Sequence, residues 1–233
     1  MSPVVPPATT KPTPTTDRRA ERRRAIVEAA SPLFAQLGYT DCDMERVATA
    51  LGIAKGTIYL YFPGKQDLFF ACVDWGMTRM QQAVIGAAET TKEPFERIGR
   101  AVRAYLEFFE KHPHFVELLI QERAMFKDRK RPTYFEYRDR NRVVWRAIYT
   151  QMQAEGTLRT DFPVERIMDV VGNLLYGTMF TNHFNGRTAS LDEQYRAIME
   201  AVFAGLLSES QRPQWTLPAP CAAPCDAPSP TSN

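Results

Sequence analysis

Residues 38–68 constrain the fold more than any other stretch of this chain. Met44, Val47, Ala48 and Leu51 recur at i, i+3, i+4 and i+7, which makes one apolar face of a helix. Asp43 stands just before them, where a side-chain oxygen can take up free backbone N–H groups. Gly52 follows the last apolar position and suits the left-handed conformation that ends many helices. Ile53 is placed to anchor the turn. A second short helix is predicted from about Lys55 to Tyr61, with Ile58 and Phe62 pointing inward and Pro63-Gly64 closing it. Its outward side is left with Lys55, Gly56, Thr57, Tyr59, Leu60 and Tyr61, and Lys65 follows. A glycine inside so short a helix costs about 1 kcal/mol relative to alanine. Close approach to another backbone would justify that cost. Two readings fit the spacing: an ordinary helical hairpin in an all-α domain, or a helix offered to the major groove of DNA with phosphate-holding groups on both sides.

The string Gly38-Tyr39, Met44-x-x-Val47-Ala48-x-x-Leu51-Gly52-Ile53 and Gly56-Thr57-Ile58-Tyr59-x-Tyr61-Phe62-x-Gly64-Lys65-x-x-Leu68 resembles the TetR family of one-component transcriptional regulators. That resemblance implies double-stranded DNA as a partner. It also implies base or groove contact by Lys55, Gly56 and Thr57, and phosphate contact by Tyr59, Tyr61 and Lys65. Read alone, Tyr59 also has a packing reading, with its ring against the protein and its hydroxyl in water. Two positions depart from the family pattern. Asp43 stands where relatives carry a phosphate-contacting Ser or Thr, and its negative charge repels phosphate. Ala54 stands where relatives cap the recognition helix with Ser, so a capping bond worth about 1 kcal/mol is missing. Neither is carried over as a DNA contact.

The net charge of +2 says less than its distribution. Arg18, Arg19, Arg22, Arg23 and Arg24 crowd the entry to the first helix. Such a cluster suits phosphate or minor-groove contact, and Arg22 and Arg23 are taken as DNA-binding. The competing reading is a solvated helix start, although cations near a helix N-terminus are mildly unfavourable.

The chain is read as all-α. A disordered, Pro- and Thr-rich leader is expected over residues 1–17, a helix-turn-helix DNA-binding domain over 18–64, a larger helical effector-binding and dimerisation domain over 65–208, and a Pro/Ala/Ser-rich disordered tail over 209–233. The first helix should run from Arg18 to Leu37 and kink at Pro32. Six more helices should follow, from about Lys65, Pro94, His114, Thr133, Pro163 and Ser190.

No run reaches the roughly 18 apolar residues of a membrane span, and the leader lacks a signal-peptide core, so a cytoplasmic protein is expected. Cys42 and Cys72 should be packed, reduced thiols, and Cys221 and Cys225 lie in the tail without further ligands nearby. His112 and His114 flank a proline without other ligands, so no metal site is expected. No phosphate loop, nucleophile elbow or other catalytic arrangement is present; neither enzyme activity nor a cofactor is expected.

The last two helices are more apolar than surface helices need to be. A dimer interface is expected at Val171, Leu174, Leu175, Thr178, Tyr195, Ile198, Val202 and Leu206, matching the four-helix interface the resemblance implies. Dimerisation also follows from DNA geometry, because two short helices about 34–36 Å apart can read a palindrome. The alternative is that these residues are core of a monomer. The resemblance further implies a small apolar or aromatic effector in a core pocket, for which Phe115, Trp145, Tyr149, Tyr176 and Phe180 are the expected lining. The function expected is a ligand-released repressor binding a palindromic operator as a homodimer. The alternatives are a protein of the same fold controlled by a protein partner, and an enzyme or carrier with a vestigial headpiece.

Overall fold

The computed structural model describes residues 14–207 and Ser210, with side chains from Arg18 onward. The remainder of the expected leader and tail, with Cys221 and Cys225, lies outside the described residues. The described chain is helical: α1 (Pro14–Asp41), α2 (Met44–Leu51), α3 (Lys55–Tyr59), α4 (Lys65–Glu89), α5 (Pro94–Lys111), α6 (Pro113–Met125), α7 (Thr133–Ala154), α8 (Val164–Asn185) and α9 (Leu191–Ile198). From α9 the chain passes through a π-helical turn at Met199–Phe203 into α10 (Ala204–Leu206). Its contacts divide it into two compact units after Cys72, rather than before Lys65 where the sequence placed the break.

The first unit closes around Ile26, Ala30, Phe34, Val47, Ile58, Leu68, Phe69 and Cys72, all buried. The first two turns of α4 belong to it because Phe69 meets Phe34 edge-on, with ring centroids 5.3 Å apart. Helical backbone continues through Pro32. Pro32 and Glu28 lie on the exposed side, where water can take the carbonyl that proline leaves free. The interruption falls instead at Gly38, with φ 85° and ψ 156°, a conformation open to glycine and costly for other residues.

In the second unit α5 supplies the central apolar stripe, including Ile98, Val102, Tyr105, Leu106 and Phe109. It packs against α6, α7, α8 and α9. Glu93 caps it by accepting from the Glu96 N–H, and Pro94 occupies the first turn, where no N–H is missed. The start of α7 is capped from a distance. Pro132 offers no side-chain cap, and the buried Glu122 of α6 accepts from the Thr133 N–H (3.0 Å) and hydroxyl (2.8 Å) and pairs with Arg129. At Gly76 of α4 a side chain would meet the Phe115 ring at 2.3 Å, so glycine is what lets α6 pack there. A capping box of Ser190 and Glu193 opens α9.

Candidate functional site

The first unit shapes an exposed helix from local rules. Asp43 Oδ1 accepts from the Arg46 N–H at 2.9 Å and starts α2. Gly52 adopts the left-handed conformation (φ 62°, ψ 35°), and the Ile53 N–H returns to the Ala48 carbonyl at 3.0 Å. Ala54 then opens α3 in an extended conformation with no side-chain cap. Helical bonding continues past α3, from the Phe62 N–H to the Ile58 carbonyl at 3.0 Å. Ile58 and Phe62 are buried, so the opposite side projects Lys55, Gly56, Tyr59 and Leu60 into solvent, with Thr57 and Tyr61 half-buried. No atom lies within 4 Å of where a Gly56 side chain would begin, so nothing in this unit itself requires glycine there.

Cations gather around this helix, and several are held in place. Arg19 donates to the Leu60 carbonyl at 3.3 Å and lies over the Tyr61 ring at 5.6 Å. Arg23 stacks over Phe62 at 4.8 Å, while Arg22 is exposed. Lys65 donates to the Thr40 carbonyl at 2.8 Å and sits 4.7 Å from the centre of the Tyr39 ring. The Thr40 bond uses one of its three N–H donors. Lys55 stands 3.8 Å from Glu45 of α2, both well exposed. Sequence reading missed the tethering of Arg19, Arg23 and Lys65, since the partners are carbonyls and rings with no sequence signature. Burial pushes the thiols up, Cys42 to about 11 and Cys72 to about 12, so both stay protonated and inert.

The second unit contains a cavity of about 140 Å³ among α4, α5, α7 and α8. A void of about that size lined by aliphatic and aromatic side chains can hold a benzene-sized molecule. Met80, Val84, Ile98, Val102, Met168 and Leu175 supply much of its wall. Of the expected lining, Trp145 and Tyr149 are present, four residues apart on one face of α7. Phe115, Tyr176 and Phe180 do not line it. Phe115 is stacked on Phe108 (5.8 Å, 8°) and fills the space opposite Gly76. Tyr176 packs between Tyr134 and Phe135, and Phe180 against Tyr176 and Phe184. Polar groups that composition did not reveal border the cavity: Gln81 donates to Asn141 at 2.7 Å, and the Tyr105 and Tyr134 hydroxyls meet at 2.9 Å. Desolvation pushes the Tyr134 hydroxyl up to about 12.

The expected interface residues divide. Val171, Tyr195, Ile198 and Leu206 are buried inside the protomer, and Leu175 and Val202 are half-buried. Leu174 is exposed, and Thr178, half-buried, donates to its carbonyl at 2.8 Å. The outward face of α8 instead runs Val170, Leu174, Gly177, Thr181 and Phe184, spaced alternately by four and three residues, with Phe184 65% exposed. That alternation is the spacing of a helix-pairing seam. No group of three or more metal-ligating side chains occurs among the described residues, and no described helix is long and apolar enough to cross a membrane.

Two family models match this chain: bacterial regulatory proteins of the tetR family over residues 26–72, and the tetracyclin repressor-like C-terminal domain over residues 91–174. The chain is similar to the HTH-type transcriptional regulator YhgD of Bacillus subtilis, 35% identical over 104 residues, or 45% of this chain and 54% of that protein. It is also similar to the HTH-type transcriptional repressor KstR2 of Mycobacterium tuberculosis, 27% identical over 151 residues, or 63% and 74%. It spans about half the length of the first curated relatives it matches. Among solved structures, the fatty acid degradation regulator FadR from Bacillus halodurans superposes with a TM-score of 0.68 at 16% identity, covering 84% of this chain and 98% of that one. The ketosteroid transcriptional regulator KstR2 gives 0.58 at 22%, covering 81% and 96%. At these identities the structural likeness speaks to fold.

Proposed function

Since this chain belongs to the TetR family of helix-turn-helix transcriptional regulators, we propose that it is a ligand-released repressor that binds a palindromic operator as a homodimer. The observation that carries the reading is the outward face of α3, where a glycine that its own unit does not require lies beside tethered cations. Gly56 would let the helix backbone approach DNA closely. Lys55 and Thr57 would meet base edges, and Tyr59, Tyr61 and Lys65 would hold phosphates, with Arg22 and Arg23 adding contacts at the start of α1. A second copy of the chain would pair along the Val170–Phe184 face of α8 and place a second recognition helix one helical turn of DNA away.

Release would come from a small, mainly apolar effector in the core cavity. Two proteins of similar structure are regulators of fatty acid degradation and of ketosteroids, which favours apolar effectors. The effector must bind the form that does not fit the operator more tightly, or it shifts nothing. An open cavity favours this over control by a protein partner.

Selection of bound duplexes from a random pool tests the whole reading: a palindromic consensus is expected, and no enrichment would overturn it. Lys65→Ala should weaken binding to all sequences alike and lower the salt slope by about one, while Lys55→Ala should change sequence preference. Identical behaviour of the two variants across salt and operator series would refute the division of roles.

A further inference from the structure

Tyr149 places a phenol hydroxyl among the residues that line the cavity. It is 3% exposed, it lines the cavity, and its hydroxyl makes no hydrogen bond to any described residue. Desolvation alone raises its pKa, so the group is a neutral O–H donor. Most other polar neighbours of the cavity have partners. The Tyr105 and Tyr134 hydroxyls bond each other, and Gln81 bonds Asn141. Arg142 is spent on Glu165 and Asp169, each at 2.7 Å. With no protein acceptor recorded for it, the Tyr149 hydroxyl is free to donate to a ligand oxygen in the cavity. The charges bordering the cavity are also one-sided: Arg138 and Arg142 line it and no carboxylate does.

Building on the effector reading, we propose that the ligand is a compact apolar molecule carrying a carbonyl or carboxylate oxygen that accepts from the Tyr149 hydroxyl, and that cations are excluded. Tyr149 is then the residue that sets specificity for an oxygenated ligand over a hydrocarbon of the same shape. The apolar body lies against Met80, Val84, Val102 and Trp145. Arg138 favours the anionic member of the class. Its Nη1 donates to Asn173 at 3.3 Å, while its Nε is buried without a hydrogen-bond partner.

Calorimetric titration of the full chain with acetophenone, ethylbenzene and benzylamine tests this. Wild type should bind acetophenone about tenfold more tightly than the nearly isosteric ethylbenzene, a ratio set by one net hydrogen bond, and should not bind benzylamine. Tyr149→Phe should erase that preference and leave ethylbenzene binding unchanged, which also shows that the variant is folded. A preference that survives in Tyr149→Phe overturns the assignment, as does tight binding of benzylamine. Equal binding of acetophenone and ethylbenzene by wild type sinks this inference and leaves the cavity as an effector site. If none of the three binds, the inference and the effector reading fall together.

Discussion

In the first unit the groups assigned to DNA lie close along the chain, most of them between Lys55 and Lys65, and none is buried. The cavity of the second unit is walled by four helices whose contributing residues run from Met80 to Leu175. A surface site of the first kind needs only a short scaffold that turns its residues outward, so caps, a left-handed glycine and two buried anchors define it. A cavity of the second kind is what neighbouring side chains leave unfilled, so it depends on the size and direction of residues far apart in sequence. Damage to the first site should therefore be local, and damage to the second should propagate through packing.

The hardest test of that contrast is Phe34→Ala. Phe34 is fully buried and meets both Tyr39 and Phe69. Truncating such a phenylalanine costs about 3–5 kcal/mol, much of the stability of a small unit. DNA binding should be lost, and hydrogen exchange should quicken over α1–α3, while ethylbenzene still binds the second unit. Coincident loss of protection in both units would break the comparison.

Gly76→Ala should act next most strongly and in the other unit. The new methyl would overlap the Phe115 ring, and overpacking of this kind costs about 1–3 kcal/mol. Phe115 is wedged among Phe108, His112 and His114, so it has little room to yield. A lowered Tm is expected, with base preference on the random pool unchanged because the recognition face is untouched. A shifted consensus would show that the two sites are not separate.

These two cases also show why one site was legible and the other only partly so. The apolar periods ending at Leu51 and beginning at Ile58 fixed α2, α3 and the outward face between them, because local hydrogen bonding decides that geometry. Aromatic content points to a cavity but does not say which ring fills space and which borders it. Phe115 was misplaced because the space it enters is made by Gly76, on another helix. The usable signal lay within α7, where Arg138, Asn141, Arg142, Trp145 and Tyr149 recur at helical spacing with a polar end and an aromatic end.

The histidines beside Phe115 give a pH test confined to the second unit. Burial and the nearby Arg79 lower His112 to about 4 from an ordinary 6.5, and His114 shifts the same way. Below about pH 6.5 the unfolded chain takes up protons that the folded chain refuses until about pH 4. Stability from this source is therefore complete above 6.5 and lost progressively as pH falls to 4. His112→Phe should flatten the Tm profile across that window. An unchanged slope would assign the acid sensitivity elsewhere.

The smallest effect tests the weakest point of the first unit. Ala54 begins α3 in the extended conformation of an N-cap residue but has no oxygen to offer, whereas Ser190 caps α9 fully with Glu193. Ala54→Ser should place a hydroxyl within reach of the Gly56 and Thr57 N–H groups and raise stability by about 1 kcal/mol. Ser190→Ala should cost a similar amount in the second unit. Both are read as Tm shifts, and Ala54→Ser should also tighten operator binding modestly by ordering the helix that enters the groove. Should Ala54→Ser gain much less than Ser190→Ala loses, water already satisfies the exposed start of α3. The missing cap would then cost the headpiece nothing, and its affinity would rest on the cations tethered around the helix.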